Sequence, residues 1–314
     1  MCGIAGRILA TAGDVGTDLV ALMDAQAHRG SDSTGFAIYG IPREHGYVVR
    51  AMGFDRAMLG KDLEDFRYIL KEHGADFLES PTWDNSVAKH YSVRMVISDP
   101  VDLSRWSAEA DELCTRIEVQ SVGRSLEIIN DDGDARTVAD KHHVRGMIGT
   151  HGLGHARLAT ESAVRPNASH PFWARPFADV AIVHNGQITD YYNWRRRLER
   201  GGYRFLTQND SELIAVWVSD QIKHGLTLQQ ALSASIKQID GVFTYMIADV
   251  NGIGFAKDRF AIKPLVTIQS GGAFCAATEE QALRRVYPRG AKIINYDGPA
   301  QTGIWGLNAR ELAA

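Results

Sequence analysis

The second residue of the chain, Cys2, brings together the two groups that an N-terminal nucleophile needs. A small residue at this position permits removal of the initiator methionine, which would leave a free α-amine beside the thiol. The ordinary pKa values, about 8 for the amine and about 8.5 for the thiol, allow the amine to take the thiol proton. Gly3 next to it lets the backbone approach a bound molecule closely. Taken alone, a cysteine here is more often without a role, so the interpretation depends on the rest of the chain.

Further motifs follow Cys2 in a definite order. They are residues 2–6 (CGIAG), 28–35 (HRGSDSTG), 154–160 (GHARLAT), 167–171 (NASHP), 183–188 (VHNGQI), 209–214 (NDSELI), 257–265 (KDRFAIKPL) and 277–279 (ATE). Each is weak alone, but the set in this order resembles the class II glutamine amidotransferases, which are N-terminal-nucleophile hydrolases. The resemblance covers about residues 2–50 and 146–285.

The resemblance implies a glutaminase site built around Cys2. The thiol would attack the side-chain amide of glutamine and form a γ-glutamyl thioester, with the α-amine carrying the proton. The side chain of Asn185 and the backbone N–H of Gly186 would form the oxyanion hole. Outside this context, an Asn-Gly pair is more typical of a type I′ hairpin turn.

The resemblance also implies how the amino acid end of glutamine is held. Arg157 has the planar fork that suits a carboxylate, and Asp210 would hold the α-ammonium. Thr160 and His170 would line or brace the same pocket. An acidic residue at position 210 is also what the first turn of a helix favours, and both interpretations can hold together. Structural support for the Cys2 loop would come from Arg29 and Asp32.

One segment departs from the family pattern. The family commonly has Arg-Trp-Ala-Thr-His-Gly where this chain has residues 157–162, RLATES. Leu158 replaces the aromatic residue, and Glu161-Ser162 replaces the His-Gly pair. Because this segment contributes to the glutamine pocket and its closing loop, we expect a change in glutamine affinity or in coupling to the acceptor site.

The elements that must position these residues are short strands and a few helices. Asn209 with Glu212, and Thr227 with Gln230, have the spacing of a capping box at a helix start. Short strands separated by turns indicate hairpins, so the sequence predicts an α+β fold with mostly antiparallel sheets and helices on their outer faces. The resemblance specifies a four-layer αββα sandwich with two stacked antiparallel sheets.

We expect a single amidotransferase domain, 2–314, with a family-atypical insert at 54–145. The part of the chain after about residue 290 is short, and no P-loop, synthetase loop or phosphoribosyl-binding signature is present, so the acceptor chemistry should lie on another polypeptide. The insert makes the chain resemble stand-alone amidotransferase subunits of split glutamate synthase-like enzymes, including N-methylglutamate synthase and the glxB type. That resemblance implies a hetero-oligomer, no cofactor in this chain, and FMN with an iron–sulfur cluster on a partner synthase subunit.

The composition excludes several other classes of protein. The 314 residues are 45% hydrophobic and 23% charged, which is ordinary for a globular protein with a large core. Lys and Arg (34) nearly balance Asp and Glu (38), which predicts no nucleic acid or membrane partner. The three cysteines form no Cys-x-x-Cys pair, so no metal site is expected. No apolar run of about 18 residues and no leader stand out, so the expected location is the cytoplasm.

Two alternatives stay open at this point. The chain could be a catalytically silent or regulatory subunit, and a retained Met1 would support this because it would acylate the amine of Cys2. The presence of Cys2, Asn185 and Asp210 argues against it. The chain could also be an N-terminal-nucleophile hydrolase of another amide. Arg157 together with Asp210 argues against this second alternative, since the pair suits a free α-amino acid.

Overall fold

The two central layers of the molecule are antiparallel sheets that stack face to face. The computed structural model describes residues 2–84, 88–158, 169–287 and 290–307. The strands are β1 (Gly3–Asp14), β2 (Ser33–Tyr39), β3 (Tyr47–Gly53), β4 (Thr82–Trp83), β5 (Tyr91–Ile97), β6 (Ile117–Gly123), β7 (Leu126–Asp132), β8 (Ile148–Arg157), β9 (Phe172–Trp173), β10 (Ala181–Ile188), β11 (Gly241–Asp249), β12 (Gly252–Lys257), β13 (Val266–Ser270), β14 (Ala273–Ala277), β15 (Ile293–Asn295) and β16 (Thr302–Gly306). The helices are α1 (Val15–Asp24), α2 (Leu59–Glu72), α3 (Leu103–Ala110), α4 (Ala135–His142), α5 (Tyr191–Arg200), α6 (Asp210–Lys223), α7 (Leu228–Gln238) and α8 (Glu280–Leu283).

The strand order places the first strand in the interior of the larger sheet. The seven-stranded sheet runs β15-β13-β14-β1-β8-β2-β7, and the five-stranded sheet runs β16-β12-β11-β10-β9. Neighbouring strands pair antiparallel in both sheets. The sheets meet through side chains of one core, among them Ile4, Leu153, Val183 and Met246. This arrangement confirms the predicted antiparallel hairpins.

Helices cover both outer faces of the pair of sheets. On the seven-stranded sheet, α1, α4 and α8 bury a cluster that includes Leu19, Val138 and Leu283. On the five-stranded sheet, α6 and α7 bury a cluster that includes Trp217 and Leu232. The amphipathic helices thus complete a four-layer αββα sandwich, as the family resemblance implies.

A third antiparallel sheet, in the order β4-β5-β3-β6, is added to this sandwich. With α2 and α3 it continues the central core, through residues such as Val49, Phe66 and Trp106. The predicted insert at 54–145 does not have the bounds of this addition. The third sheet already includes β3, which precedes residue 54. β7 and α4 lie inside 54–145 but belong to the main layers.

The two predicted capping boxes have different outcomes. Thr227 and Gln230 form the reciprocal pair of hydrogen bonds at the start of α7. At the start of α6, Asn209 accepts from the N–H of Ser211, but Glu212 turns away from the cap. Its carboxylate instead accepts from the backbone N–H groups of residues 206 and 207. The expectation of a capping box is therefore wrong here, because the loop before α6 takes the acidic side chain.

Asp179 connects the third sheet to the five-stranded sheet. Its carboxylate accepts from the backbone N–H groups of Arg124 (2.8 Å), Ser125 (2.8 Å) and Leu126 (2.9 Å) in the turn from β6 to β7. Asp179 is buried and has a left-handed φ of 58°. One side chain therefore satisfies three backbone donors of this turn.

We expect Asp179→Ala to lower the free energy of unfolding by roughly 2–4 kcal/mol, because buried N–H groups lose their acceptor. Urea unfolding followed by circular dichroism measures this change. Asp190→Ala is the matched control, since Asp190 also has a left-handed φ (55°) but is exposed. Equal losses in the two variants would assign the effect to the backbone conformation and contradict the role of the carboxylate.

Candidate active site

The register of β1 determines where Cys2 lies. Gly3 of β1 pairs with Ala156 of β8, so Cys2 stands beside the end of β8. On the other side of β1, the N–H of Ile4 donates to Oγ1 of Thr278 (2.9 Å), which follows β14. Cys2 is half-buried and its backbone carbonyl accepts from Nδ2 of Asn185 at 3.0 Å. That contact joins the nucleophile candidate on one sheet to the oxyanion candidate on the other.

Asn185 and Gly186 lie within β10, where they pair with Thr244 and Phe243 of β11. The alternative of a type I′ hairpin turn is therefore wrong. Gly186 has a φ of 149°, and a Cβ at this position would lie 2.0 Å from the carbonyl oxygen of Val242. Only glycine fits both the conformation and the close approach. Asn185 is buried and Gly186 is exposed at the surface of the same site.

Asp210 is the first residue of α6 and reaches the same stretch of β10. Its Oδ2 accepts from the N–H of Ile188 (2.9 Å), and its Oδ1 lies 3.3 Å from Nδ1 of His184. Burial raises the pKa of this carboxyl, but the His184 imidazole and the Ile188 N–H outweigh it, and the pKa is lowered overall. Asp210 is thus an ionised carboxylate. Its two partners, His184 and Ile188, flank Asn185 and Gly186 on β10, so the carboxylate lies near both of these residues.

Arg157 ends β8 and is buried. It pairs with Ser33 of β2, and its carbonyl oxygen accepts from the N–H of Asp32 at 3.1 Å. A Cβ at Gly30 would lie 2.3 Å from the carbonyl carbon of Arg157, so the 30–33 turn packs directly on this backbone. The structure therefore brings Asp32 to Arg157 and brings both to the end of β8 nearest Cys2.

Arg29 lies on the opposite side of the same turn. Its guanidinium forms an ion pair with Glu279, which also accepts from Nε2 of His28 at 3.1 Å. Burial raises the pKa of Glu279, but hydrogen bonds from Gln281, His28 and Arg29 lower it overall. Thr278, which precedes Glu279, accepts a hydrogen bond from the N–H of Ile4 in β1. The Arg29–Glu279 ion pair therefore links the 28–33 turn to the segment that contacts β1. Through this ion pair Arg29 holds the turn against the segment that follows β14.

His170 lies behind the site. It is buried, it stacks on His155 with ring centroids 4.0 Å apart, and its Nε2 is hydrogen-bonded to Oγ of Ser211. This placement fits bracing rather than lining of the pocket. Thr160 and Glu161 lie outside the described residues, and Leu158 is 42% exposed.

Sequence reasoning missed the residues that place His170. Nδ2 of Asn130 on β7 donates to the carbonyl oxygens of Ser169 (3.0 Å) and Pro171 (3.1 Å). A Cβ at Gly35 of β2 would lie 2.1 Å from the carbonyl oxygen of His170. Gly35 belongs to a recognised motif, but Asn130 lies in no motif. Only the pairing of β2 with β7 shows that both residues contact the backbone of residues 169–171.

The assembled site contains a thiol, a side-chain amide, a carboxylate and a guanidinium, contributed by the N-terminal segment, β10, α6 and β8. This is a set for nucleophilic attack on a carbonyl compound that carries opposite charges. Among the described residues, no group of three or more His, Cys, Asp or Glu could hold a metal ion. Within the same part of the chain, no helix is long and apolar enough to cross a membrane.

Comparisons with known proteins agree with this chemistry. Residues 155–285 match the family described as glutamine amidotransferase domain. A protein of Methanothermobacter thermautotrophicus, named provisionally as a glutamine amidotransferase, is 35% identical over 290 residues, which are 91% of this chain and 94% of the relative. The glutamine amidotransferase-like protein GlxB of Rhizobium meliloti is 32% identical over 286 residues, 90% of this chain and 91% of GlxB.

Solved structures agree on the fold. Glutamine phosphoribosylpyrophosphate amidotransferase from B. subtilis superimposes with a TM-score of 0.57 at 16% sequence identity. The match covers 97% of this chain and 49% of that one, so this chain spans about half the length of that solved chain. The first two relatives are 35% and 32% identical over nine-tenths or more of both chains, and the fold is shared with a solved amidotransferase. The chain therefore belongs to the class II glutamine amidotransferases, which hydrolyse glutamine.

Proposed function

We propose that Cys2 is the nucleophile of this amidotransferase and that the chain delivers ammonia to a partner synthase subunit. The observation that carries the first part is the contact between Asn185 and Cys2, which joins the oxyanion candidate to the nucleophile candidate. Asp210 contacts Ile188 on the same strand as Asn185, and Arg157 ends the strand that pairs with β1, so the two residues bring opposite charges to this region. L-glutamine is the substrate that this class of enzyme and this charge pattern support.

The reaction then follows from the residues present. The Cys2 sulfur attacks the side-chain carbonyl carbon of glutamine, and the α-amine of Cys2 takes the thiol proton. Asn185 uses one amide hydrogen for the Cys2 carbonyl and offers the second, with the Gly186 N–H, to the oxyanion. The amine returns the proton to the departing ammonia, leaving a thioester. Water then cleaves the thioester to glutamate and restores the thiol.

Recognition of the amino acid end completes the proposal. The Arg157 guanidinium binds the α-carboxylate of glutamine in its fork, and the Asp210 carboxylate binds the α-ammonium. The lowered pKa of Asp210 supports this role because the carboxylate remains charged through the neutral range. His170 and Thr160 support the same pocket in this proposal, and Arg29 and Asp32 support the turn beside it.

We further propose that the partner belongs to a glutamate synthase-like complex, of which N-methylglutamate synthase is one candidate. Support comes from the similarity to GlxB over nearly the whole length of both chains. In this proposal the complex is a cytoplasmic hetero-oligomer, this chain holds no cofactor, and FMN and an iron–sulfur cluster reside on the synthase subunit. The third sheet is the candidate for docking the partner.

The experiment for the nucleophile is an intact-mass measurement before and after treatment with 6-diazo-5-oxo-norleucine, an electrophilic glutamine analogue. We expect loss of Met1 and a single adduct on Cys2. A retained Met1, or an adduct elsewhere, would contradict the proposal and favour a silent subunit. Adduct formation without glutamine turnover would favour a hydrolase of another amide.

The experiment for the partner uses the chain co-purified with a candidate synthase subunit that contains FMN and an iron–sulfur cluster. Glutamine labelled with ¹⁵N in the side-chain amide is supplied with excess unlabelled ammonium. We expect the product to keep the ¹⁵N label, because ammonia passes between subunits without equilibrating with solvent. Dilution of the label to the level of the bulk ammonium would contradict direct transfer.

A further inference from the structure

Three buried side chains continue from Asp210 into the interior between β8, β10 and α6. Nδ1 of His184 lies 3.3 Å from Oδ1 of Asp210 and 2.9 Å from Oγ of Ser211. Oγ of Ser211 is in turn hydrogen-bonded to Nε2 of His170. His184, Ser211 and His170, which we name the buried relay, are each at least 94% buried, with 3%, 0% and 6% exposure.

The chemistry of the groups assigns the direction of each hydrogen bond. The Asp210 carboxylate only accepts, so the hydrogen of His184 must be on Nδ1. Oγ of Ser211 then accepts from His184 Nδ1, and its own hydrogen is donated to Nε2 of His170. In this arrangement the serine hydroxyl joins His170 to His184, and His184 shares its Nδ1 hydrogen with Asp210, which it contacts directly.

The surroundings keep the relay in this arrangement. His155 on β8 stacks on His170, and its Nε2 is hydrogen-bonded to the carbonyl oxygen of His184 at 3.0 Å. Burial lowers the pKa of His155 to about 3 and lowers the pKa of His170 well below its usual range, so both rings are neutral at physiological pH. Phe172 packs edge-on against His170. Close packing therefore fixes the neutral rings of His155 and His170, and the Asp210 carboxylate is the charged group at the end of the buried relay.

We propose that the buried relay positions the Asp210 carboxylate and thereby determines the preference for substrates that carry an α-ammonium group. Ser211 and His184 are positioning residues in this inference, since they act through Asp210. The inference rests on the proposed function, in which Asp210 binds the α-ammonium. Without Ser211, the Nδ1–H of His184 loses one of its two acceptors, so the ring is held less firmly and the carboxylate beside it loses its fixed orientation.

The test compares L-glutamine with glutaramate, the analogue that lacks only the α-amino group, by ammonia release at high enzyme concentration. For Ser211→Ala we expect kcat/KM for glutamine to fall about tenfold or more, mainly through KM, because a hydrogen bond in a charged network is lost. Turnover of glutaramate should be unchanged, so the preference between the two substrates falls by the same factor.

Two further variants make the result specific. Ser211→Thr retains the hydroxyl and should restore most of the preference. Ser219→Ala is the matched control, because Ser219 lies on the same helix, is buried, and its hydroxyl has no hydrogen-bond partner among the described residues. We expect this control to keep the wild-type preference. The fraction of each protein that reacts with 6-diazo-5-oxo-norleucine normalises the rates to folded sites.

An unchanged preference in Ser211→Ala would overturn the inference, as would equal losses for both substrates or a Ser211→Thr variant no better than Ser211→Ala. Failure of the proposed function gives a different result, because wild-type protein would then neither turn over glutamine nor favour it over glutaramate. The wild-type measurement therefore separates the two failures.

Discussion

Cys2→Ala is expected to reduce glutamine hydrolysis by roughly 10⁵–10⁶-fold, since in the proposed mechanism the thioester forms on the Cys2 sulfur. The fold should remain intact, because the side chain is half-buried and precedes the first residue of β1. Ammonia release in a coupled assay measures the activity. Thermal unfolding, which should occur within about 1 °C of the wild-type midpoint, measures the stability.

Cys114→Ala provides the comparison, because Cys114 is also half-buried but lies in the segment that leads to the third sheet. It should retain full activity and still form the adduct with the electrophilic analogue. Appreciable turnover by Cys2→Ala would mean that the nucleophile is elsewhere in the chain.

Asn185→Ala is expected to lower kcat by about 10²–10³-fold with little change in KM, the effect of removing one oxyanion donor. One amide hydrogen of Asn185 is donated to the Cys2 carbonyl at 3.0 Å, and in the proposed mechanism the other meets the charge that develops on the substrate oxygen. Steady-state kinetics with glutamine separate the two constants. The variant should still react with the electrophilic analogue, at a reduced rate.

The neighbouring amide on the same strand serves as the control for Asn185. Gln187 is exposed on β10, and Gln187→Ala should leave kcat within about twofold of wild type. If Asn185→Ala raised KM and left kcat unchanged, the amide would bind the ground state and the oxyanion role would be excluded.

Local patterns in the sequence predicted most of the layers, while the contacts between layers needed the structure. Thr227 and Gln230 form a complete local unit, and their capping box is present. Glu212 has the same spacing, but a loop outside the helix takes its carboxylate. The third sheet was not predicted, because alternating residues do not specify with which strand they pair.

The same distinction applies to the site. The motifs around Cys2, Arg157, Asn185 and Asp210 could be recognised because each motif is a short continuous segment. Groups that hold the backbone around the site, such as Asn130 beside His170, come from strands whose register is fixed only by the complete sheet.

The interior position of β1 also has a consequence for the order in which the protein is built. β1 completes its pairing only with β8 and β14, which follow far later in the chain. At the usual rate of synthesis, the start of the chain must wait on the order of tens of seconds for its last neighbour. During that interval the residues before β1 stay open to the aminopeptidase that removes methionine. The removal of Met1 that the proposed function requires can therefore be finished before the sheet is complete.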